Sequence, residues 1–111
     1  MQVALITGRS ETSRKVTEDN LKDQGFGEVC SQDGQGQVHR TEGPCYVALH
    51  LRNMGKDQHT LASVYKPERR KQLKDAGYTL VATFGDQFSD LEGAHIAIAS
   101  WKLPNPIYLI L

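Results

Sequence analysis

Apolar positions in this chain come in short runs, and the polar stretches between them divide into helix-like and turn-like segments. Residues 2–6, "QVALI", form the first run, ended by "TGRS". Residues 10–26, "SETSRKVTEDNLKDQGF", predict a helix that starts at Ser10 or Glu11, places Val16 and Leu21 near one face, and stops at Gly25. The Gly-rich stretch 27–44 predicts a loop or a mobile hairpin. "CYVALHL", residues 45–51, alternates and is rich in β-formers, which predicts a strand. "LASVYK" reads as a shorter extended run, and a second helix is expected from Pro67, a suitable first-turn proline, to a stop at Gly77. "YTLVATF" predicts a buried strand, "QFSDLEGA" a short helical turn, "HIAIAS" another strand, and "PIYLIL" a closing apolar run. Strands alternating with helices imply an α/β sandwich with a mainly parallel sheet.

With 111 residues, one domain is the expectation. Hydrophobic content of 39% against 23% charged residues fits a globular protein on the polar side. Thirteen basic residues balance thirteen acidic ones, so composition points to neither nucleic acid nor an anionic membrane as partner. No apolar run approaches the roughly 20 residues that a membrane helix needs. The opening "MQVALITGRS" lacks a basic n-region and a useful h-region, so it reads as a strand rather than a signal peptide, and the expected location is cytoplasmic. On that reading Cys30 and Cys45, which flank the Gly-rich stretch, are expected as free thiols, with a disulfide across the loop as the alternative. A metal site from Cys30, Cys45, His39 and His50 has suitable ligand types but matches no zinc spacing.

Three predicted strand ends carry polar groups. Thr7 and Gly8, in "LITGRS", offer a hydroxyl and backbone N–H groups opening toward a helix start, which suits an oxyanion or phosphate. Lys66, in "VYKPERR", is a point charge suited to phosphate. Asp86 and Asp90, in "FGDQFSD", are hard oxygen ligands suited to Mg²⁺, and they share a face if a helix starts between them. Each also has a plain structural reading: Thr7 as a cap, Lys66 as a solvated charge, and the aspartates as a helix start. Their order along one α/β chain is more informative than any one of them.

"LITGRSETSRKVTEDNLKDQGF", "YK" before a basic helix, "GYTLVATFGDQFSDLEG" and "KLPNPIY" together resemble the haloacid dehalogenase (HAD) superfamily. More narrowly they are similar to its acid phosphatase branch, which includes plant vegetative storage proteins and bacterial secreted acid phosphatases. The likeness covers most of the chain, with the Gly-rich 27–44 matching least. It implies a single HAD-like Rossmannoid domain over residues 1–111, a three-layer sandwich acting on phosphate monoesters with Mg²⁺. By resemblance Thr7 and Gly8 bind the transferred phosphoryl group, Lys66 neutralises it, Asp86 is a magnesium ligand and Asp90 supports it.

The family's first motif, Asp-x-Asp, does not occur in this sequence. Those aspartates would supply the nucleophile, the general acid and a metal ligand, so the covalent route is expected to be absent. Their strand would lie centrally in the family's sheet, between the strands ending at Thr7 and Asp86. The fold is therefore expected as a truncated version with unpaired inner edges, which a direct pairing of "QVALI" with "TLVATF", or a second copy donating "PIYLIL", would close. The resulting expectation is an acid phosphatase-like domain, inactive or weakly active, that keeps affinity for phosphate or a phosphorylated small molecule and weak affinity for Mg²⁺. A dimerising module that reuses the fold is the alternative. A third reading is a phosphatase that gains its nucleophile from another chain, or from Asp90 or Asp33.

Overall fold

The computed structural model describes residues 1–35, 37–39 and 43–110, with the side chains of 38 and 39 excepted. It divides into two compact units, Met1–Lys56 and Asp57–Leu111. The side chain of His39, weighed above as a metal ligand, and the last residue of "PIYLIL" lie outside what is described.

The first unit contains β1 (Ala4–Ser10), a 3-10 turn (Glu11–Ser13), α1 (Arg14–Asp23), β2 (Glu28–Val29), β3 (Ser31–Gln32), β4 (Val38–His39), β5 (Cys45–Tyr46) and β6 (Ala48–Arg52). β1 and β6 run parallel, as expected for strands joined through a helix. The strand does not end at Ile6. Ile6 pairs with His50 and Ser10 with Arg52, so Thr7, Gly8 and Arg9 bulge out of register between them. Ser10 then caps the 3-10 turn, its hydroxyl accepting the Thr12 N–H at 3.2 Å.

α1 ends as its sequence predicts. Gly25 takes φ 86°, its N–H reaches the Lys22 carbonyl, and the Phe26 N–H reaches that of Leu21, which is a Schellman closure. Its inward face differs from the expected one: Val16 is exposed, while Thr17 is buried with its hydroxyl donating to the Ser13 carbonyl at 2.8 Å. That local bond satisfies the hydroxyl and lets threonine take an inward position. Leu5 and Leu21 pack on a core of Tyr46, Leu49 and Leu51. The expected strand 45–51 is broken at Val47, whose N–H bonds to the Val3 carbonyl, so Cys45–Tyr46 pair with β2 and Ala48–Arg52 with β1.

The Gly-rich stretch forms a hairpin, β3 antiparallel to β4, with Asp33 Oδ1 accepting the N–H groups of Gln35 and Gln37. At its base the free-thiol expectation is overturned: Cys30 and Cys45 form a disulfide, with Cα atoms 4.9 Å apart. The β2–β5 pairing, extended by the Cys30 N–H to the Tyr46 carbonyl, brings the two residues within bridging distance. The bridge also removes both thiolates from the Cys30, Cys45, His39 and His50 set, whose spacing matched no zinc pattern.

The second unit contains α2 (Ala62–Asp75), β7 (Ala82–Gly85), α3 (Phe88–Leu91) and β8 (Ala99–Lys102). Two expectations fail in α2. "LASVYK" is helical rather than extended, and Pro67 lies inside the helix rather than in its first turn. A proline there removes the hydrogen bond to the carbonyl four residues back. The helix forms across it because Ala62, Tyr65, Lys66, Arg69, Arg70 and Leu73 are all buried. Its end at Gly77, φ 97°, is again a Schellman closure, with Tyr78 bonding Leu73.

β7 and β8 are parallel and pair Ala82 with Ala99 through Gly85 with Lys102. They begin later than the expected strands 78–84 and 95–100 and run past their ends, although Ile98 and Ala99 already bond the Leu80 and Val81 carbonyls. "PIYLIL" is not a strand over its described residues. Segment 103–110 has no regular secondary structure, and Ile107, Tyr108 and Leu109 are exposed. The parallel ladders and intervening helices make the chain α/β. No helix among the described residues is long and apolar enough to cross a membrane.

Candidate functional site

In the second unit the candidate residues collect at the carboxyl end of β7. Gly85 is its last residue, and a Cβ there would overlap the Asp90 side chain, so glycine is what allows Asp90 to approach the strand end. Gln87 is the N-cap of α3, and Asp90 folds back so that its Oδ2 accepts the Gln87 N–H at 3.1 Å. Its other oxygen, Oδ1, lies 2.5 Å from Lys66 Nζ in an ion pair that is almost wholly buried. Lys66 and Asp90, taken from the sequence as a phosphate cation and a metal ligand, are thus brought together and neutralise each other.

Asp86 occupies different surroundings. Its Oδ2 accepts from Asn105 Nδ2 at 2.7 Å and from the Tyr108 hydroxyl at 3.4 Å. Burial alone would push this carboxyl up. Hydrogen bonds from Asn105, its own backbone N–H and Gln87, with the Lys66 charge, together outweigh burial, and the pKa falls below the ordinary carboxylate value. Asp86 is therefore an anion at neutral pH. A cleft of about 350 Å³ opens beside it, bordered by Phe88, Lys102, Asn105 and Tyr108.

The loop that follows α3 is organised by Arg70, which sequence reading passed over as one charge in a basic helix. Its guanidinium is buried and has five donors, and all five are used on backbone carbonyls. Nε donates to His95 at 3.1 Å, Nη1 to Ser89 and Asp90 at 3.3 and 3.0 Å, and Nη2 to Glu92 and Ala94 at 2.5 and 3.1 Å. Burial lowers the Arg70 pKa, opposed by the charge of Asp90. Two residues of this loop lie in left-handed backbone, Gly93 at φ 88° and His95 at φ 58°. The Ser89 hydroxyl is buried without a hydrogen-bond partner among the described residues.

Thr7 and Gly8 belong to the first unit, in the β1 bulge. The Thr7 hydroxyl accepts the Arg9 N–H at 3.3 Å, and a Cβ on Gly8 would make only ordinary contact with Arg52. The expected helix N-terminus does not open directly from Gly8, because the strand continues to Ser10.

No cluster of three or more metal-ligating side chains occurs among the described residues. The donor chemistry at Asp86 nevertheless suits Mg²⁺, which binds one or two carboxylates and keeps several waters or phosphate oxygens. Sequence reading also passed over Gln87, Asn105 and Tyr108 as participants. The signal was present in "NPIY", since Asn followed by Pro marks a turn.

A family model described as HAD superfamily, subfamily IIIB (acid phosphatase), matches residues 1–111. Acid phosphatase 1 of Solanum lycopersicum is 40% identical over 111 residues, covering 99% of this chain and 36% of that protein. Stem 28 kDa glycoprotein of Glycine max is 33% identical over 110 residues, covering 98% and 37%. A Stem 31 kDa glycoprotein of the same plant is 35% identical over 113 residues, covering 98% and 36%. The chain spans just over a third of the length of these curated relatives.

Proposed function

The chain belongs to the HAD superfamily, subfamily IIIB, the acid phosphatases, and on that premise we propose that it carries the phosphate- and magnesium-holding residues of a phosphate monoester site. Asp86 is the magnesium ligand, and the ion there would offset phosphate charge. In the second unit Lys66 supplies the cation for a phosphoryl group, and in the first unit the Thr7 hydroxyl and Gly8 amide keep their proposed role as phosphate donors. Asp90 supports the site chiefly by holding Lys66. The observation that carries this reading is the strand end itself: Gly85-Asp86 beside a buried Lys66–Asp90 pair, an arrangement that keeps one carboxylate ionised and one lysine fixed.

Taken alone, the 111-residue chain is proposed to bind rather than to turn over, because its sequence holds no Asp-x-Asp to form an aspartyl-phosphate. Calorimetry with Mg²⁺, with inorganic phosphate and with both tests the site: each ligand should tighten the other, and Asp86→Asn should abolish the coupling. Release of phosphate from an aryl phosphate should stay near background. Mg²⁺-dependent turnover above about 1 s⁻¹ that Asp86→Asn removes would refute the inactivity.

A dimerising module is the second reading. It is favoured by Phe84 and Trp101, cross-strand partners that stack at 4.9 Å while 66% and 49% exposed. Light scattering that shows a monomer at micromolar concentration would reject it. The disulfide favours an oxidising compartment over the cytoplasm, as do the relatives named as glycoproteins.

A further inference from the structure

We propose that Asn105 is a positioning residue for the Asp86 carboxylate, and that segment 105–110 is a strap that holds it in place. The inference rests on the reading of Asp86 as a magnesium ligand. The segment has no ladder and little burial to fix it: Ile107 is 86% exposed and Leu109 66%. It is held by polar bonds that run in a closed circuit. Gln87, only 3% exposed, uses both ends of its amide on the strap's backbone. Its Nε2 donates to the Tyr108 carbonyl at 3.2 Å, and its Oε1 accepts the Ile110 N–H at 2.8 Å. A C=O and an N–H two residues apart point the same way in extended chain, so the side-chain amide acts as a one-peptide strand partner. Asn105 Oδ1 then accepts the N–H groups of Ile107 and Tyr108 at 3.0 and 3.3 Å, closing a turn. That fixes the amide plane and aims Nδ2 at Asp86 Oδ2, 2.7 Å away, where the Tyr108 hydroxyl also points.

The residue type follows from the geometry. The position needs an acceptor for the turn and a donor for the carboxylate on one rigid plane, which an amide supplies and a carboxylate or aliphatic side chain does not. Mg²⁺ demands near-octahedral geometry, so a carboxylate that enters its shell gains by being held in one orientation.

The test uses calorimetric Mg²⁺ titration of the full chain, with Asp86→Asn as the reference without a site. Asn105→Ala removes both functions, and Asn105→Ser keeps a turn-forming hydroxyl that is one atom shorter and loses the Asp86 bond. Loss of an outer-shell partner costs about 10- to 100-fold in metal affinity, so both variants should bind Mg²⁺ at least about tenfold more weakly than wild type. Their urea midpoints should stay near wild type, because the strap is exposed. If Asn105 only shapes the turn, Asn105→Ser will bind like wild type, and the proposal is wrong. Tighter binding in either variant would show that Asn105 competes with the ion, which also overturns it. If wild type shows no Mg²⁺ binding that Asp86→Asn removes, the assignment of Asp86 as a ligand fails, and the positioning role falls with it. Wild-type binding with unchanged variants refutes the positioning role alone.

Discussion

Truncating Arg70 is expected to cost the second unit more stability than any surface change on the same helix. Five buried N–H groups each meet one carbonyl between Ser89 and His95. A hydrogen bond to a charged group contributes about 1.5–3 kcal/mol, and a plain sum would approach the whole stability of a domain. The sum overstates the effect, because carbonyls vacated by the side chain regain water and the loop relaxes. Breaking a buried charged network costs about 3–5 kcal/mol, and Arg70→Ala should fall in that range. His95 offsets a little of it, since a non-glycine residue at φ 58° costs about 1 kcal/mol, which is released where the loop relaxes without the Arg70 bond. Arg70→Lys should recover only part of the loss, as an ammonium offers three donors from one point.

Trp101 is the chain's one tryptophan and lies on β8, so its fluorescence reports unfolding of this unit. With a urea slope of about 1–2 kcal/mol/M, Arg70→Ala should lower the midpoint by about 1.5 M or more. Lys71→Ala on the next residue is the control. It loses one exposed pair with Asp75, 2.6 Å apart, and should cost at most about 0.5 kcal/mol. An Arg70→Ala shift no larger than that of Lys71→Ala would refute the account of the loop.

Two further outcomes follow from bonds elsewhere in the chain. Reducing the Cys30–Cys45 bridge, which closes a loop of 15 residues, should destabilise the first unit by about 3 kcal/mol; amide hydrogen exchange across 28–32 and 45–52 unchanged by reductant would contradict it. Lys66→Met leaves Asp90 buried without its cation and should cost about 3 kcal/mol, whereas Lys66→Met with Asp90→Leu should cost less than the sum of the single changes. Additive losses in urea unfolding would mean that the two side chains do not stabilise each other.

Much of the fold was legible where its cause is local. The stops at Gly25 and Gly77 are each written in one residue, because a left-handed cap favours glycine wherever the helix sits. Parallel ladders followed from the alternation of strand-like and helix-like runs. The failures occur where distant packing decides. "LASVYK" is rich in β-formers, yet burying Ala62, Tyr65 and Lys66 on one helical face overrides that preference and carries the helix through Pro67. Pro67 meets Gly93 in turn: a Cβ on Gly93 would crowd the proline ring, a contact invisible to any window of neighbouring residues. The cysteines were read through an expected compartment. The pairing of β2 with β5, rather than compartment, sets their distance.

The candidate site divides in the same way. "FGDQFSD" announces two carboxylates at a strand end, and both are there. Residue type alone makes them look equivalent, and their partners separate them. Asp90 sits over a glycine and against a buried lysine, so both its oxygens are occupied by the protein, one by Lys66 and one by the Gln87 N–H. Asp86 borders the cleft, and its Oδ2 takes hydrogen bonds from Asn105 and Tyr108, side chains about twenty residues away. A lysine desolvated as deeply as Lys66 requires a counter-charge whether or not a ligand is present. Asp90 meets that need, so of the two aspartates Asp86 is the one to which the proposed magnesium role falls. The spacing of the pair could be read from the chain, but the division of labour between its members depends on Gly85, Lys66 and Asn105.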